Sequence, residues 1–142
     1  MNEAETHQYI FQWLVAVLPQ DCLIHHSPNE GARKPQYRAK LNALGLHAGW
    51  PDLEVFVPQA YFCDPLNHAP IFIEVKSGRG RLSPAQKETL AGLRRCGAHC
   101  QHVRSIAEVS DFITPLMHAH LLKTQGRAQM LQQLEEAKRR AA

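Results

Sequence analysis

Apolar residues recur with a helical spacing in some parts of the chain and alternate with polar residues in others. A period near 3.6 residues predicts an amphipathic helix, and a period of two predicts a strand. On this basis we predict helices over 2–18, 36–44, 83–95, 105–120 and 123–140, and strands over 21–26, 52–57, 71–76 and 98–104. The resulting order, αβ(α)ββαβα, predicts an α/β fold with a mixed central β-sheet flanked by helices.

The first predicted helix carries an apolar stripe and two carboxylates on different sides. The stripe consists of Ile10, Trp13, Leu14, Val17 and Leu18. Continuing it backward by seven residues from Ile10 places Glu3 on the inward face, whereas Glu5 falls on the opposite side. Asn2 precedes the helix and Glu5 stands three residues later, so these two residues form a predicted capping box.

The stretch IFIEVKSGRG, residues 71–80, has the pattern of a buried strand that nevertheless contains a carboxylate and an amine. Alternate residues of a strand share a face, so Glu74 and Lys76 point to the same side. Ile71, Ile73 and Val75 point to the other side, into the core. Taken alone, this pattern is more typical of a solvated strand face that carries a surface ion pair, worth about 0–1 kcal/mol.

Asp52 changes that interpretation because it directly follows a Gly-Trp-Pro turn at the start of the preceding strand. If the two strands are neighbours, Asp52 can lie near Glu74. Two carboxylates held close together repel each other and favour a bound cation, and oxygen ligands suit Mg²⁺ or Mn²⁺. The backbone carbonyl of Val75 could supply another ligand. Lys76 would then lie beside the metal, where it could orient a water molecule or stabilise charge on a phosphate.

Composition and charge narrow the class of protein. The 142 residues match one compact domain, and the formal net charge of +3 permits a nucleic-acid partner without requiring one. No apolar stretch is long enough to span a bilayer, and the N-terminal residues lack the basic and apolar regions of a signal peptide. These features predict a cytoplasmic protein with no membrane partner.

The four cysteines, Cys22, Cys63, Cys96 and Cys100, form no CxxC pair and are predicted to be reduced and packed. Two of them lie close in sequence to two histidines, which raises the alternative of a zinc site at 96–102. In a strand over 98–103 those histidines point to opposite faces, which disfavours zinc.

Three motifs, "GWPD", "IEVK" and "SPAQ", follow one another in an order that resembles the VRR-NUC domain, a branch of the PD-(D/E)XK nucleases. The upstream "HHSPNEGAR" is similar to the His-x-x-Asn-Gly-rich loop of that family, although a glutamate precedes the glycine here. The resemblance covers roughly residues 3 to 113. It implies a restriction-endonuclease-like core in a nuclease domain over 1–122, a C-terminal helical extension over 123–142, and a metal-dependent nuclease that acts on DNA.

The resemblance also implies roles for individual residues. Asp52 and Glu74 would be metal ligands, and Lys76 would be the catalytic lysine. Gln86 would match the glutamine of the helix that follows the ExK strand, and Glu3 would match the carboxylate of the N-terminal helix. Gln86 is open to a second interpretation, because it stands three residues after a serine that can cap this helix.

Six polar or basic residues near these motifs are candidates for contact with nucleic acid: His26, Asn29, Arg33, Lys34, Arg79 and Arg81. The alternatives are ordinary loop hydrogen bonding for the first two and a solvated charged surface for the other four. Trp50 could stack on a base, but packing in the core is the favoured interpretation.

The resemblance implies structure-selective cleavage of branched DNA, because stand-alone domains of this family are similar to four-way junction resolvases that act as homodimers. A flap-type or single-strand-selective nuclease and a non-catalytic nucleic-acid-binding module are the alternatives. The predicted last helix carries a second apolar stripe, made of Met130, Leu131, Leu134 and Ala137. That stripe could pack on its own domain or on a partner subunit.

Overall fold

The structure is a computed structural model that describes residues 1–27, 34–118, 122, 132 and 135–141. Its main elements are α1 (Glu3–Val17), β1 (Leu23–His26), α2 (Pro35–Ala43), β2 (Leu53–Phe56), β3 (Ile71–Val75), α3 (Pro84–Arg95), β4 (His99–Val103) and α4 (Ile106–Ile113). Two candidates for contact with nucleic acid lie outside the described part of the chain, Asn29 and Arg33. The same holds for three residues of the second apolar stripe, Met130, Leu131 and Leu134.

The four strands form one mixed sheet in the order β1-β2-β3-β4. Strand β2 pairs antiparallel with both β1 and β3, whereas β3 pairs with β4 in parallel. Helix α3 connects the two parallel strands, as a parallel pair requires a crossover. The element order matches the predicted αβ(α)ββαβα, so the predicted α/β fold with a mixed sheet and flanking helices is confirmed.

Strand β3 is buried on both faces, because a separate apolar cluster covers each side of the sheet. The larger cluster contains Ile71, Ile73 and Val75 together with side chains from α1 and α4. The smaller cluster contains Phe72, which packs with Leu90 of α3 and Cys100 of β4. Burying one such side chain contributes about 1.5–3 kcal/mol. The sequence predicts burial of the first face only, and the second cluster explains why the polar residues that follow Phe72 also lie away from bulk water.

Local signals explain where α1 begins. The Asn2 side chain accepts a hydrogen bond from the Glu5 backbone at 2.9 Å, and the Asn2 backbone donates one to the Glu5 carboxylate at 3.1 Å. This is the predicted capping box, which satisfies two backbone donors that the first helical turn leaves open.

Helix α4 is shorter than its pattern predicts. It ends at Ile113 rather than near residue 120, and a 3₁₀ turn over Thr114–Leu116 follows. Pro115 lies in that turn and has no backbone N–H to continue the α-helical ladder. The prediction that Pro115 interrupts this segment therefore holds, whereas the predicted end of the helix was wrong.

Residues 135–141 are helical and pack on α1 of the same chain. The Lys138 ammonium lies 5.1 Å from the centre of the Tyr9 ring, and a hydrogen bond with Tyr9 raises the pKa of Lys138. Glu135 is only 1% exposed and accepts a hydrogen bond from Arg139 at 2.9 Å. The described end of the chain thus contacts α1. The place of the apolar stripe stays a prediction, because Met130, Leu131 and Leu134 lie outside the described residues and Ala137 is exposed.

The cysteines differ in their surroundings, although all four are free thiols. Burial raises the pKa of the Cys22 thiol from 9.0 to about 11, and burial also raises the pKa of Cys100. Cys63 and Cys96 are exposed, so the prediction that all four are packed was wrong for these two. None of the helices in the described ranges has the length and apolar composition needed to cross a membrane.

Candidate active site

Asp52 links the start of β2 to the end of β3. Its side chain is 3% exposed, and its Oδ2 atom accepts a hydrogen bond from the Val75 backbone N–H at 2.7 Å. The antiparallel register pairs Leu53 with Ile73, and continuing this register by one residue places Asp52 opposite Glu74. The structure therefore brings together the two carboxylates that the sequence suggested as neighbours.

Glu74 and Lys76 form a buried ion pair. Glu74 is 0% exposed and Lys76 is 8% exposed, and the Lys76 ammonium lies 3.5 Å from Oε1 of Glu74. The alternative of a solvated strand face with a surface ion pair was wrong. Burying a charged pair carries a desolvation penalty that its attraction offsets only in part, so such a pair is weak evidence for stability. A functional reason for keeping both charges is the stronger interpretation.

Gln86 satisfies both interpretations of its position. Its Oε1 atom accepts a hydrogen bond from the Ser83 backbone at 2.8 Å, which completes the capping box of α3. Its Nε2 atom donates to Oε1 of Glu74 at 2.8 Å. One amide thus fixes the start of α3 against the buried carboxylate of β3.

Glu3 reaches the same region from α1. A Cβ atom built on Gly80 would lie 3.7 Å from Cδ of Lys76 and 3.9 Å from Oε2 of Glu3. Glu3 is half-buried, whereas Glu5 is exposed and engaged in the capping box. The carboxylate that approaches Gly80, as the Lys76 side chain does, is therefore the one that the phase of the apolar stripe placed inward.

The turn before Asp52 packs directly on the first turn of α3. Gly49 has φ +77°, and a Cβ atom there would lie 2.5 Å from the backbone C and O atoms of Ala85 and 2.6 Å from the Gln86 nitrogen. Such distances leave no room for a side chain. Gly49 therefore allows the approach that holds Asp52 and Gln86 in one arrangement.

Two histidines border this group of residues. Nδ1 of His26 lies 2.9 Å from the Asp52 carbonyl oxygen, and because a carbonyl only accepts, Nδ1 carries the proton in this contact. The His7 ring meets the His26 ring edge-on, with 4.5 Å between ring centres. His7 was not among the predicted residues, although it stands four residues after Glu3, a spacing that puts both on one side of α1.

Strand β4 and the residue that directly follows it provide two further contacts that sequence reasoning missed. His102 pairs with Glu74 in the parallel register, so both side chains point to the same face of the sheet. Arg104 donates a hydrogen bond to the Gly78 carbonyl at 3.1 Å and thereby ties the turn after β3 to β4. The register of two strands that are far apart in sequence leaves no local signal, so neither contact could be read from the sequence.

Trp50 belongs to the structural support of the site. Its Nε1 atom donates to Oε1 of Glu54 at 2.7 Å, and its ring packs edge-on against Phe72 at 5.5 Å between ring centres. It is one of the partly buried side chains of the smaller apolar cluster. These contacts agree with the favoured interpretation of Trp50 as a packing residue.

Four of the residues predicted to contact nucleic acid lie in the described part of the chain, and all four are exposed. Arg79 and Arg81 flank Gly80, the residue beside Lys76 and Glu3, so the basic turn borders the buried group. Lys34 is exposed at the start of α2, and His26 is exposed at the end of β1. Asn29 and Arg33 lie outside the described residues.

The chemistry of the donor groups fits a hard divalent cation. Asp52 and Glu74 present carboxylate oxygens at neighbouring ends of β2 and β3. Within the described residues, no three His, Cys, Asp or Glu side chains form a group that could hold a metal. Mg²⁺ is commonly bound by one or two carboxylates, with water and phosphate oxygens completing its shell, so two carboxylates and the Val75 carbonyl fit this ion or Mn²⁺.

Comparison with known proteins identifies the fold. The model of the VRR-NUC domain matches residues 2–107. A solved structure of a VRR-NUC domain protein has 25% sequence identity to this chain and a TM-score of 0.60. The match covers 83% of this chain and 97% of the chain of that structure. No match was found among curated proteins. The match includes the turn before Asp52, the strand with Glu74 and Lys76, and the helix with Gln86, and it implies a nuclease-type fold. The chain belongs to the VRR-NUC domain family.

Proposed function

We propose that this chain is a Mg²⁺- or Mn²⁺-dependent endonuclease that hydrolyses phosphodiester bonds in DNA. The observation that carries the proposal is the buried group formed by Asp52, Glu74 and Lys76 on two adjacent strands, with Gln86 bonded to Glu74. A module that only binds nucleic acid needs exposed cations and gains nothing from two buried carboxylates. Membership of a nuclease-type family supports the same conclusion.

In this proposal, Asp52 and Glu74 hold the cation together with the Val75 carbonyl. When bound, the cation acts as a Lewis acid toward the phosphate and makes a nucleophile available at neutral pH. The hydrogen bond from the Val75 N–H fixes the Asp52 carboxylate, and Gln86 fixes that of Glu74, so both ligands keep their orientation before substrate arrives.

Lys76 supplies a positive charge close to the reacting phosphate. Its ammonium can donate hydrogen bonds to the attacking water or to a phosphate oxygen, which stabilises the negative charge that grows in the transition state. The low exposure of the side chain strengthens this effect, because little water screens the charge. Glu3, whose carboxylate approaches Gly80 as the Lys76 side chain does, is proposed to orient the ammonium or the water.

The direct test is cleavage of a supercoiled plasmid and of a four-way junction with Mg²⁺, with Mn²⁺ and with EDTA. We expect cleavage with either metal and none with EDTA. DNA binding without cleavage under every metal condition would favour the non-catalytic nucleic-acid-binding module instead. A flap substrate and a single strand in the same series distinguish junction resolution from the flap-type and single-strand alternatives.

Replacing Glu3 by glutamine is expected to slow cleavage by about tenfold or more, because it removes a negative charge beside Lys76 while keeping the size of the side chain. The matched control is Glu5→Gln, which changes the same charge two residues away and retains a side chain able to complete the capping box. Single-turnover cleavage rates measure both variants. Equal rates for the two would remove Glu3 from the site.

Replacing Arg79 and Arg81 by alanine is expected to weaken DNA binding at low salt. Each phosphate contact that the substitutions remove lowers the slope of log K against log[salt] by about 0.9 for duplex DNA. Fluorescence anisotropy over a salt series gives the slope, and Lys87→Ala with Arg95→Ala removes the same charge from exposed positions of α3 as a control. An unchanged slope in the Arg79 and Arg81 variant would mean that this turn does not meet the backbone.

We further propose that the protein acts on branched DNA as a homodimer, because a four-way junction has two equivalent strands to cut and a twofold dimer presents two equivalent sites. The helical end at 135–141 packs on α1, so an interface elsewhere on the domain is expected. Light scattering at micromolar concentration should give twice the 16.0 kDa mass of one chain. A measured mass equal to one chain would contradict symmetric junction resolution. It would favour a monomeric nuclease with one active site.

A further inference from the structure

Helix α2 gains little from the rest of the domain. No residue over Pro35–Ala43 is buried, and Leu41 alone among them is half-buried. Lys34 occupies the N-cap position and makes no side-chain capping hydrogen bond. Isolated helices shorter than about 12–15 residues are marginal in water, and most helices in proteins are stabilised by packing. This nine-residue helix therefore has little stabilisation from buried side chains.

The charges of this segment are all of one sign. Lys34, Arg38 and Lys40 are exposed cations, and the sequence from 34 to 51 contains no Asp or Glu, although the whole chain has 13 acidic residues. No acidic partner within the segment neutralises these side chains. A polyanion is the partner that such a surface fits best.

Two exposed large side chains accompany the cations. Tyr37 is 53% exposed and Leu44 is 77% exposed. A tyrosine beside phosphate-binding cations can stack on a base or pack on a sugar, which adds a contact that does not depend on charge. A protein partner would be expected to present acidic residues to the same cations, so the two kinds of partner can be separated by experiment.

The position of α2 ties it to the proposed active site. It lies between β1, which ends at His26, and the turn that precedes Asp52. Nδ1 of His26 contacts the Asp52 carbonyl at 2.9 Å, so the two ends of this connection converge beside the carboxylates. The connection that carries α2 therefore begins and ends beside the carboxylates.

We propose that α2 is a DNA-docking helix, in which Lys34, Arg38 and Lys40 contact phosphates next to the cleaved bond and which is stabilised by that contact. The proposal rests on the proposed nuclease function and deepens it. It assigns Arg38, Lys40 and Tyr37 to the DNA interface, none of which the family motifs point to. It also accounts for a helix with so little packing in the connection between β1 and the turn that precedes Asp52.

The test compares two variants that lose the same charge. The first is Lys34→Gln, Arg38→Gln and Lys40→Gln, and the control is Lys87→Gln, Arg95→Gln and Arg140→Gln, all at exposed positions. Binding to a duplex and to a four-way junction is measured over a salt series with Ca²⁺ in place of Mg²⁺, so that cleavage does not consume the DNA. We expect the slope of log K against log[salt] to fall by about 0.9 for each phosphate that the first variant no longer binds and to change less in the control.

Two further measurements keep the outcomes distinct. Because no α2 side chain is buried, the α2 variant should unfold at the same urea concentration as the wild type. Hydrogen exchange at residues 35–43 should slow when DNA is added. Equal slopes for the two variants, or unchanged exchange in α2 on saturation with DNA, would overturn the docking role while wild-type cleavage still upholds the nuclease. A wild-type chain that neither binds nor cleaves DNA would overturn the nuclease proposal itself, and the docking helix with it.

Discussion

Replacing Lys76 by methionine is expected to reduce DNA cleavage by at least about a thousandfold while divalent-metal binding persists. The substitution keeps the length of the side chain and removes the ammonium that lies 3.5 Å from Oε1 of Glu74. The carboxylates that are proposed to hold the cation stay in place, so chemistry is lost without loss of the ligand. Single-turnover cleavage and isothermal calorimetry with Mn²⁺ measure the two effects separately, and Lys87→Met at an exposed position of α3 is the control.

Asp52→Asn and Glu74→Gln are expected to abolish both cleavage and metal binding. Each replaces a carboxylate by an amide of the same shape, which retains an oxygen but loses the negative charge that attracts a cation. Glu74→Gln also leaves Lys76, which is 8% exposed, without its charged partner. Wild-type cleavage in any of the three variants would contradict the assignment of the site.

Stability must be separated from activity, because removing one partner of a buried pair costs about 3–5 kcal/mol. The double variant Glu74→Gln with Lys76→Met removes both charges. Neutral side chains of similar size commonly restore the stability that a single substitution loses. We therefore expect the double variant to be more resistant to urea than either single variant and still inactive. Recovery of cleavage together with stability would show that the single variants had merely unfolded.

Local periodicity was sufficient to predict the elements that position the site. The stripe through Ile10 distinguished the inward Glu3 from the capping Glu5, because helical phase is a property of neighbouring residues. The alternation through β3 predicted that Glu74 and Lys76 share a face for the same reason. The end of α4 was predicted too far along, because apolar residues continue beyond Pro115 in a turn that is no longer α-helical.

Contacts between distant segments could not be predicted in this way. The second apolar cluster joins Phe72 to Leu90 and Cys100, which come from three different elements, and it converts a half-exposed strand into a buried one. The pairing of His102 with Glu74 depends on the register of two parallel strands. The residues next to His102 and Glu74 in sequence do not reveal that register, because the two strands are far apart along the chain.

Gly49→Ala is expected to destabilise the protein by about 2–5 kcal/mol and to remove most of its activity. Two causes add. A residue with a Cβ atom at φ +77° has a conformational cost of about 1–2 kcal/mol, and inserting a methyl group into a filled contact costs about 1–3 kcal/mol. The contact joins the turn that carries Asp52 to the helix start that carries Gln86, so relieving the clash moves one of these residues away from the other.

The matched control is Gly45→Ala. Gly45 also has a positive φ, +107°, but a Cβ atom there would meet nothing within 4 Å. This variant keeps the conformational cost and lacks the clash, so we expect a loss of about 1–2 kcal/mol and nearly unchanged cleavage. Urea unfolding and single-turnover cleavage rates are measured on both variants. The extra loss of stability and activity in Gly49→Ala is then due to the close contact of Gly49 with α3. Equal losses in the two variants would mean that the turn moves freely and does not set the geometry of the site.

The atoms that Gly49 approaches make its role hard to replace. A Cβ atom would clash with the backbone of Ala85 and Gln86, and shortening a neighbouring side chain cannot create space in a backbone. Ala85→Gly is therefore expected not to rescue Gly49→Ala, whereas it would rescue a clash with the Ala85 methyl group. Cleavage by the double variant at the rate of Gly49→Ala alone is the expected result. Recovery to the wild-type rate would show that the tight contact involves the Ala85 side chain rather than the backbone of α3.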